Sequence, residues 1–219
     1  MKKILCFLLA LCAIFGLSAC ADRPQSGNGG TLPPDYDSSE SNILIAYFTW
    51  ADNTTPPDTD AVASPSVVAP GNTARVAQFI QDAVGGDLFS IRVSDPYPNT
   101  WDACLDRANE ERRDNARPAL ANSVENFSEY DVIFLGYPNW WYGCPMALLS
   151  FLDSYDFDGK TVVPFCTHGT GGLANSLSQI EEAIPNANML QVFHVGEDEA
   201  ADSEADVLTW LADLGFIQE

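Results

Sequence analysis

Three short segments of this chain bring together residue types that chemistry can use. The first is split in two. Thr49 and Trp50 follow an apolar run, and Gly71-Asn72-Thr73 opens a stretch with helical spacing, with residues 51–70 lying between the two parts. Glycine allows close backbone approach, and the free N–H groups of a helix N-terminus attract an anion such as phosphate without help from Lys or Arg. The same residues also suit a plain turn at Pro70-Gly71 with an N-cap at Asn72 or Thr73. The second segment, residues 136–145, reads Gly-Tyr-Pro-Asn-Trp-Trp-Tyr-Gly-Cys-Pro. Its centre, Pro138, Asn139, Trp140, Trp141 and Tyr142, sets three aromatic rings in a row that follows neither helix nor strand period. Flat rings in such a loop suit stacking on a flat ligand, or else pack beneath the loop itself. The third segment holds Thr167, His168, Gly169, Thr170, Gly171 and Gly172. Its small residues leave backbone N–H and C=O groups free to face the edge of a ligand. His168 carries the segment's one imidazole, a proton-exchanging group, while a surface role is the plainer expectation for a lone loop histidine. His194 has less claim to a function.

These segments need a frame, and the surrounding pattern supplies one. Residues 42–48 form a short apolar run of the kind buried on both faces of a parallel sheet. Residues 73–83 place Val76, Ala77 and Ile80 at helical spacing. A more exposed strand over 87–93 and a charged helix over 100–115 follow. Strand 130–136, helix 145–152, strand 160–167, helix 173–183, strand 189–194 and helix 201–214 complete the alternation. Five strands alternating with helices imply an α/β domain with a parallel sheet and right-handed crossovers. In open sheets of this kind ligands sit beyond the carboxyl ends of the strands. The three segments lie there, after the first, third and fourth strands.

The amino-terminal residues have a separate logic. Lys2 and Lys3 precede an apolar run over residues 4–17, and Leu17-Ser18-Ala19-Cys20 closes it. A basic start, a run too short to span a bilayer, and small residues before a cleavage point describe a secretory signal over residues 1–19. The tetrapeptide resembles a bacterial lipobox, which makes Cys20 the expected site of lipidation and membrane anchoring outside the cytoplasm, on the cell surface or the periplasmic face. Two acyl chains, at about 0.8 kcal/mol per buried methylene, anchor stably. Residues 20–41 then read as a lipidated, flexible linker rich in Gly, Ser, Pro and Asp, and residues 42–219 as one domain with an insertion at about 51–70.

The formal charge is −21, and Arg107, Arg112, Arg113 and Arg117 are interleaved with acids, so no basic patch exists to bind nucleic acid. Acidity of this size favours a partner with a basic surface, or simply a well-solvated exterior. Of six cysteines, Cys104, Cys144 and Cys166 lie in the domain, an odd and widely spaced set without a C-x-x-C. Neither a zinc site nor a disulfide framework is indicated; one disulfide remains open, and buried thiols are expected.

The three segments, in this order on this alternation, resemble the flavodoxin family. The likeness is closest to the branch carrying Tyr-Pro-x-Trp-Trp and Phe-x-Thr-His-Gly, here Tyr137-Pro138-Asn139-Trp140-Trp141 and Phe165-Cys166-Thr167-His168-Gly169. Asp95-Pro96-Tyr97-Pro98 and Tyr130-Asp131-Val132-Ile133 look similar to that branch too. The resemblance implies a five-stranded sheet in the order 2-1-3-4-5 with helices on both faces, and FMN as cofactor. Its phosphate would lie at Thr49, Trp50, Gly71, Asn72 and Thr73. Its ring would lie between Pro138, Asn139, Trp140, Trp141 and Tyr142 on one side and Thr167, His168, Gly169, Thr170, Gly171 and Gly172 on the other. The family's phosphate loop is usually continuous, and the insertion here departs from that pattern. Electron transfer with a redox protein is the implied function. An NAD(P)H-dependent quinone or flavin reductase, and a surface binding module that has lost FMN, are the alternatives. In an electron carrier the flavin does the chemistry and the protein tunes it. Acidic surroundings oppose added negative charge and lower the potential by about 59 mV for each ~1.4 kcal/mol.

Overall fold

The computed structural model describes residues 29–33, 36, 41–54 and 68–218. The expected signal peptide, Cys20, most of the linker and the centre of the insertion lie outside the described residues. Among those described, no helix is long and apolar enough to cross a membrane.

The elements alternate as the sequence implies: β1 (Ile43–Tyr47), α1 (Asn72–Val84), β2 (Asp87–Ser90), α2 (Trp101–Arg113), β3 (Val132–Pro138), α3 (Met146–Leu152), β4 (Thr161–His168), α4 (Ser176–Ala183), β5 (Asn188–Met189), β6 (Phe193–Gly196) and α5 (Glu204–Leu214). All strand pairings are parallel, and the order is β2-β1-β3-β4-β5, with β6 also against β4. The expected fifth strand over 189–194 is thus interrupted. Val162 pairs with Met189 and Phe165 with Phe193, so the edge strand carries one residue more than β4 between the two pairings. An extra residue of this kind bulges an edge strand and breaks its ladder.

Side-chain alternation splits each central strand between two cores. Leu44, Ala46 and Phe48 join Ile133 and Leu135 on the face covered by α3, α4 and the inner side of α2. Ile43, Ile45, Phe134, Val163 and Phe165 join Val76, Ile80, Val207, Trp210 and Leu211 on the face covered by α1 and α5. That two-sided burial is why the central strands read as unbroken apolar runs. A Cβ at Gly136 would fall 2.1 Å from the Phe165 ring on the neighbouring strand, so only glycine lets that phenylalanine lie across β3.

The linker differs from the free stalk expected of its composition. Where it is described, it lies along the β5 edge. The Gly30 N–H donates to the Met189 carbonyl at 2.9 Å, and Asn188 Nδ2 to the Thr31 carbonyl at 3.1 Å. Leu32 and Tyr36 pack against the α1/α5 core, with Tyr36 edge-on to Phe216 at 5.4 Å between ring centroids. Packing enthalpy and backbone pairing here offset an entropy that composition alone leaves uncompensated.

Candidate functional site

The carboxyl ends of β1, β3 and β4 present the three segments together. The N-terminus of α1 is the first wall. Gly71 precedes it at φ 86° and ψ 153°, a conformation that side chains beyond glycine rarely tolerate. Among the described residues no side chain caps the helix, and its first turn holds no acid, so its leading N–H groups and positive dipole end are left for another acceptor. Asn72 and Thr73, both buried, turn inward from it. Asn72 Nδ2 donates to the Glu197 carbonyl at 2.8 Å, and the Thr73 hydroxyl shares a buried 2.8 Å hydrogen bond with the Thr167 hydroxyl on β4. The expected anion cradle is thereby tied to the third segment.

Thr49 is buried at the end of β1. Trp50 departs from the expected phosphate contact. Its indole is 4% exposed, its Nε1 donates to the Pro98 carbonyl at 3.1 Å, and it packs at 6.5 Å on Trp101. A large ring with one N–H is more stable in the core, its donor satisfied, than beside an anion. Only its backbone remains available to a ligand. Just beyond, Asn53 holds the start of the insertion. Its amide donates to the carbonyls of Thr49 and Ile91, each at 2.9 Å, and accepts from the Val93 N–H at 2.8 Å. The Thr54 hydroxyl then donates to the Tyr97 carbonyl. The insertion therefore leaves the site pinned to the segment after β2. Nothing in the pattern of the sequence marks Asn53 for this task.

The aromatic segment forms a tight turn. Trp140 and Gly143 exchange both backbone hydrogen bonds, at 2.8 and 3.0 Å, while Trp141 and Tyr142 take φ values of 47° and 68°. Consecutive positive φ values make a type I′ geometry that favours Asn-Gly, and bulky side chains there cost about 1–2 kcal/mol each. Neighbours hold the turn. Arg112 of α2 donates to the Trp141 carbonyl, and the Asn175 N–H to the Tyr142 carbonyl at 3.2 Å. The rings separate into packed and exposed ones. Trp140 lies edge-on to Phe48 and Tyr97 at 5.2 and 5.1 Å, and Trp141 packs on Trp140 and Trp101. Tyr142 projects outward, 68% exposed. The sequence does not distinguish these three positions; the turn does.

Asn139 joins this turn to the glycine segment. Its N–H donates to the Thr167 carbonyl at 2.8 Å, and its Nδ2 donates to the Gly172 carbonyl. Its Oδ1 is buried with no hydrogen-bond partner among the described residues. A Cβ built on Gly171 would lie 3.5 Å from Asn139 Nδ2 and 3.6 Å from the Tyr142 ring, so the two loops face each other at close range. Pro138 is half-buried beside them, and Gly169, Thr170 and Gly171 are exposed. His168 Nδ1 bonds the Gly169 carbonyl at 2.7 Å, and its Nε2 meets His194 Nδ1 at 3.1 Å. His194, given less weight from sequence, thus joins His168 directly.

Beneath the loops the floor is neutral. Burial pushes the Cys144 thiol up to about 12 and raises Cys166 and the Tyr137 hydroxyl well above their ordinary values. Cys104, Cys144 and Cys166 are all buried free thiols, which leaves the disulfide alternative unused. None is a thiolate at neutral pH, so this floor offers no nucleophile. No group of three or more His, Cys, Asp or Glu able to hold a metal occurs among the described residues. What the arrangement does offer is an uncapped helix N-terminus, an exposed ring, a glycine-lined edge and one unpaired buried acceptor.

Comparison with known proteins agrees with this geometry. No curated protein sequence matches the chain. The sequence model described as Flavodoxin matches residues 61–213, beginning within the insertion and so after β1. A candidate flavoprotein from Bacteroides eggerthii DSM 20697 is similar at 32% identity, over 80% of this chain and 98% of that one, with a TM-score of 0.63. A second, from Bacteroides uniformis ATCC 8492, shares 27% identity over 78% and 98% of the two chains, with a TM-score of 0.62. The fold is also that of a flavoprotein from Lactobacillus acidophilus NCFM solved with FMN, at 20% identity over 75% and 99% of the chains and a TM-score of 0.56. With 153 of its residues inside the family match and its sheet in the expected order, this chain belongs to the flavodoxin family.

Proposed function

We propose that this domain binds FMN where the three loops meet and serves as an electron carrier tethered outside the cytoplasm. The observation that carries the proposal is Asn139 Oδ1, a buried acceptor without a donor, set between the outward-facing Tyr142 and the glycine segment. Leaving such an atom unpaired costs about 1–3 kcal/mol, a penalty that a ligand N–H removes. FMN has that N–H on the pyrimidine edge of its ring, a flat ring face for Tyr142, and, at the end of its side chain, a phosphate suited to the uncapped N-terminus of α1. These donors and acceptors fit the group.

Bound FMN would supply the redox chemistry. The chain's own residues bind and shield. The N–H groups of Asn72 and Thr73 would hold the phosphate, with Thr49 at the neighbouring strand end. Tyr142 would cover the ring, and Asn139 and the glycine segment would orient its polar edge. No side chain here is arranged as a nucleophile, which favours carrier over hydrolase or transferase. Lipidation at Cys20 would tether the carrier, and its acidic surface suits a basic redox partner.

A visible spectrum of the purified protein, before and after adding FMN, tests the proposal. Bound-flavin bands, with tryptophan fluorescence quenched in a saturable titration, are expected. A colourless protein that leaves FMN fluorescence unchanged would overturn it and turn attention to the binding-module alternative.

A further inference from the structure

The chain has two histidines, separated by 26 residues in sequence, and the fold sets them ring to ring. His168 ends β4, His194 lies on β6, and the register places Cys166 opposite His194 and His168 opposite Gly196. The ring centroids are 5.3 Å apart, and Nε2 of His168 faces Nδ1 of His194 at 3.1 Å. Hydrogen-bond logic restricts the protons. The Gly169 carbonyl only accepts, so His168 Nδ1 carries a hydrogen. The contact between the rings then needs one proton between two nitrogens. The contact holds with His194 Nδ1 donating or, with one more proton on the pair, with His168 Nε2 donating. A second added proton would set N–H against N–H and separate the rings.

We infer that His168 and His194 act as one proton-binding unit that positions the glycine segment, so that ligand binding there is linked to the protonation of this pair. His168 is the direct link, because the same ring that meets His194 also holds the Gly169 carbonyl, and Gly171 and Gly172 beyond it abut Asn139 and Tyr142. Acidic groups flank the segment that the pair holds. A Cβ on Gly169 would lie 3.5 Å from the Glu197 carboxylate, and one on Gly196 would lie 3.6 Å from that of Glu199. Asp198 lies between them in sequence, and Arg75 is on the first turn of α1. The second proton opposes the contact itself. Linkage then runs both ways: a ligand that needs the segment in place resists the second proton, and the second proton weakens the ligand. One proton changes affinity by at most about tenfold per pH unit.

The inference rests on the FMN proposal for its ligand but not for its proton chemistry, and two measurements separate them. In flavin-free protein, the ring carbon protons of the two histidines are followed by NMR from about pH 5 to pH 8, the range in which imidazoles exchange protons. Two separated steps, each sensed by both rings, are expected, and a single step in His194→Gln. Two independent, superimposable titrations would overturn the inference. Stoichiometric zinc binding that abolishes both titrations would overturn it as well, making the pair a chelate. FMN affinity is then measured across the same range. Wild type is expected to lose affinity toward the acid end, and His194→Gln to show a flat profile. An equal acid loss in both would overturn the linkage. Absence of FMN binding at every pH, with coupled steps still seen by NMR, would sink the FMN proposal and leave the proton-binding unit standing.

Discussion

At the scale of single residues, the site is built from atoms whose partners are far apart in sequence. Asn139 spends its N–H and Nδ2 on Thr167 and Gly172 and leaves Oδ1, the atom proposed to meet FMN, unpaired among the described residues. Asn139→Ala should therefore weaken FMN by about tenfold, the value of one lost hydrogen bond of ~1–1.5 kcal/mol, as read by fluorescence titration. The thiols make a prediction about pH. Burial lifts Cys104 and Cys144 from the ordinary thiol range to about 12 in the folded protein. The folded state thus holds protons that the unfolded chain releases above about pH 8.5. Stability from these groups is fully present below that pH and falls as pH rises toward 12, by up to ~1.4 kcal/mol per unit and thiol. Urea midpoints from neutral to alkaline pH check this. Native protein should also resist iodoacetamide at about pH 8 and label readily in denaturant. Residue types made the three segments visible in the sequence, since few loops combine three aromatics with a glycine run. Which ring faces outward, and that His194 meets His168, depends on turn geometry and on pairing between β4 and β6, which no local pattern encodes.

At the scale of elements, the tight turn after β3 carries strain that glycine would remove. Tyr142, 68% exposed at φ 68°, has little packing to lose. Tyr142→Gly should raise stability by about 0.5–1 kcal/mol in denaturant unfolding while weakening FMN, because the ring proposed to cover it would be gone. Gly136→Ala tests the sheet itself. Its Cβ would fall 2.1 Å from the Phe165 ring, so β3 and β4 must part or Phe165 must leave its rotamer, at a cost of about 1–3 kcal/mol. Central strands were legible because burial on both faces writes itself as an apolar run. The strand expected over 87–93 ends at Ser90 because Asn53 and Leu120 take over the pairing of Val93. The strand expected over 189–194 breaks for want of one residue on its neighbour. Such long-range pairings compete with local propensity and leave no periodic trace.

At the scale of the whole molecule, charge sets the terms of association. A formal charge of −21 steers a basic partner and repels an acidic one, and salt screens both effects. Electron transfer from the reduced protein to a basic haem protein should slow by about tenfold or more between low salt and 0.5 M salt, with little change toward a neutral acceptor, as read by stopped-flow absorbance. The linker adds direction to this. It is fastened to β5 opposite Val162, near the start of β4, whereas the loops open beyond His168 at its other end. Six residues of strand, about 20 Å, separate the two. The stretch from Cys20 to Gly29 reaches roughly 30 Å at full extension. A chain moored at Cys20 by this strap would stand with its loop end up, like a buoy on a short line. Its exposed ring would look into the aqueous compartment, so its partners would have to arrive from solution and not from within the bilayer.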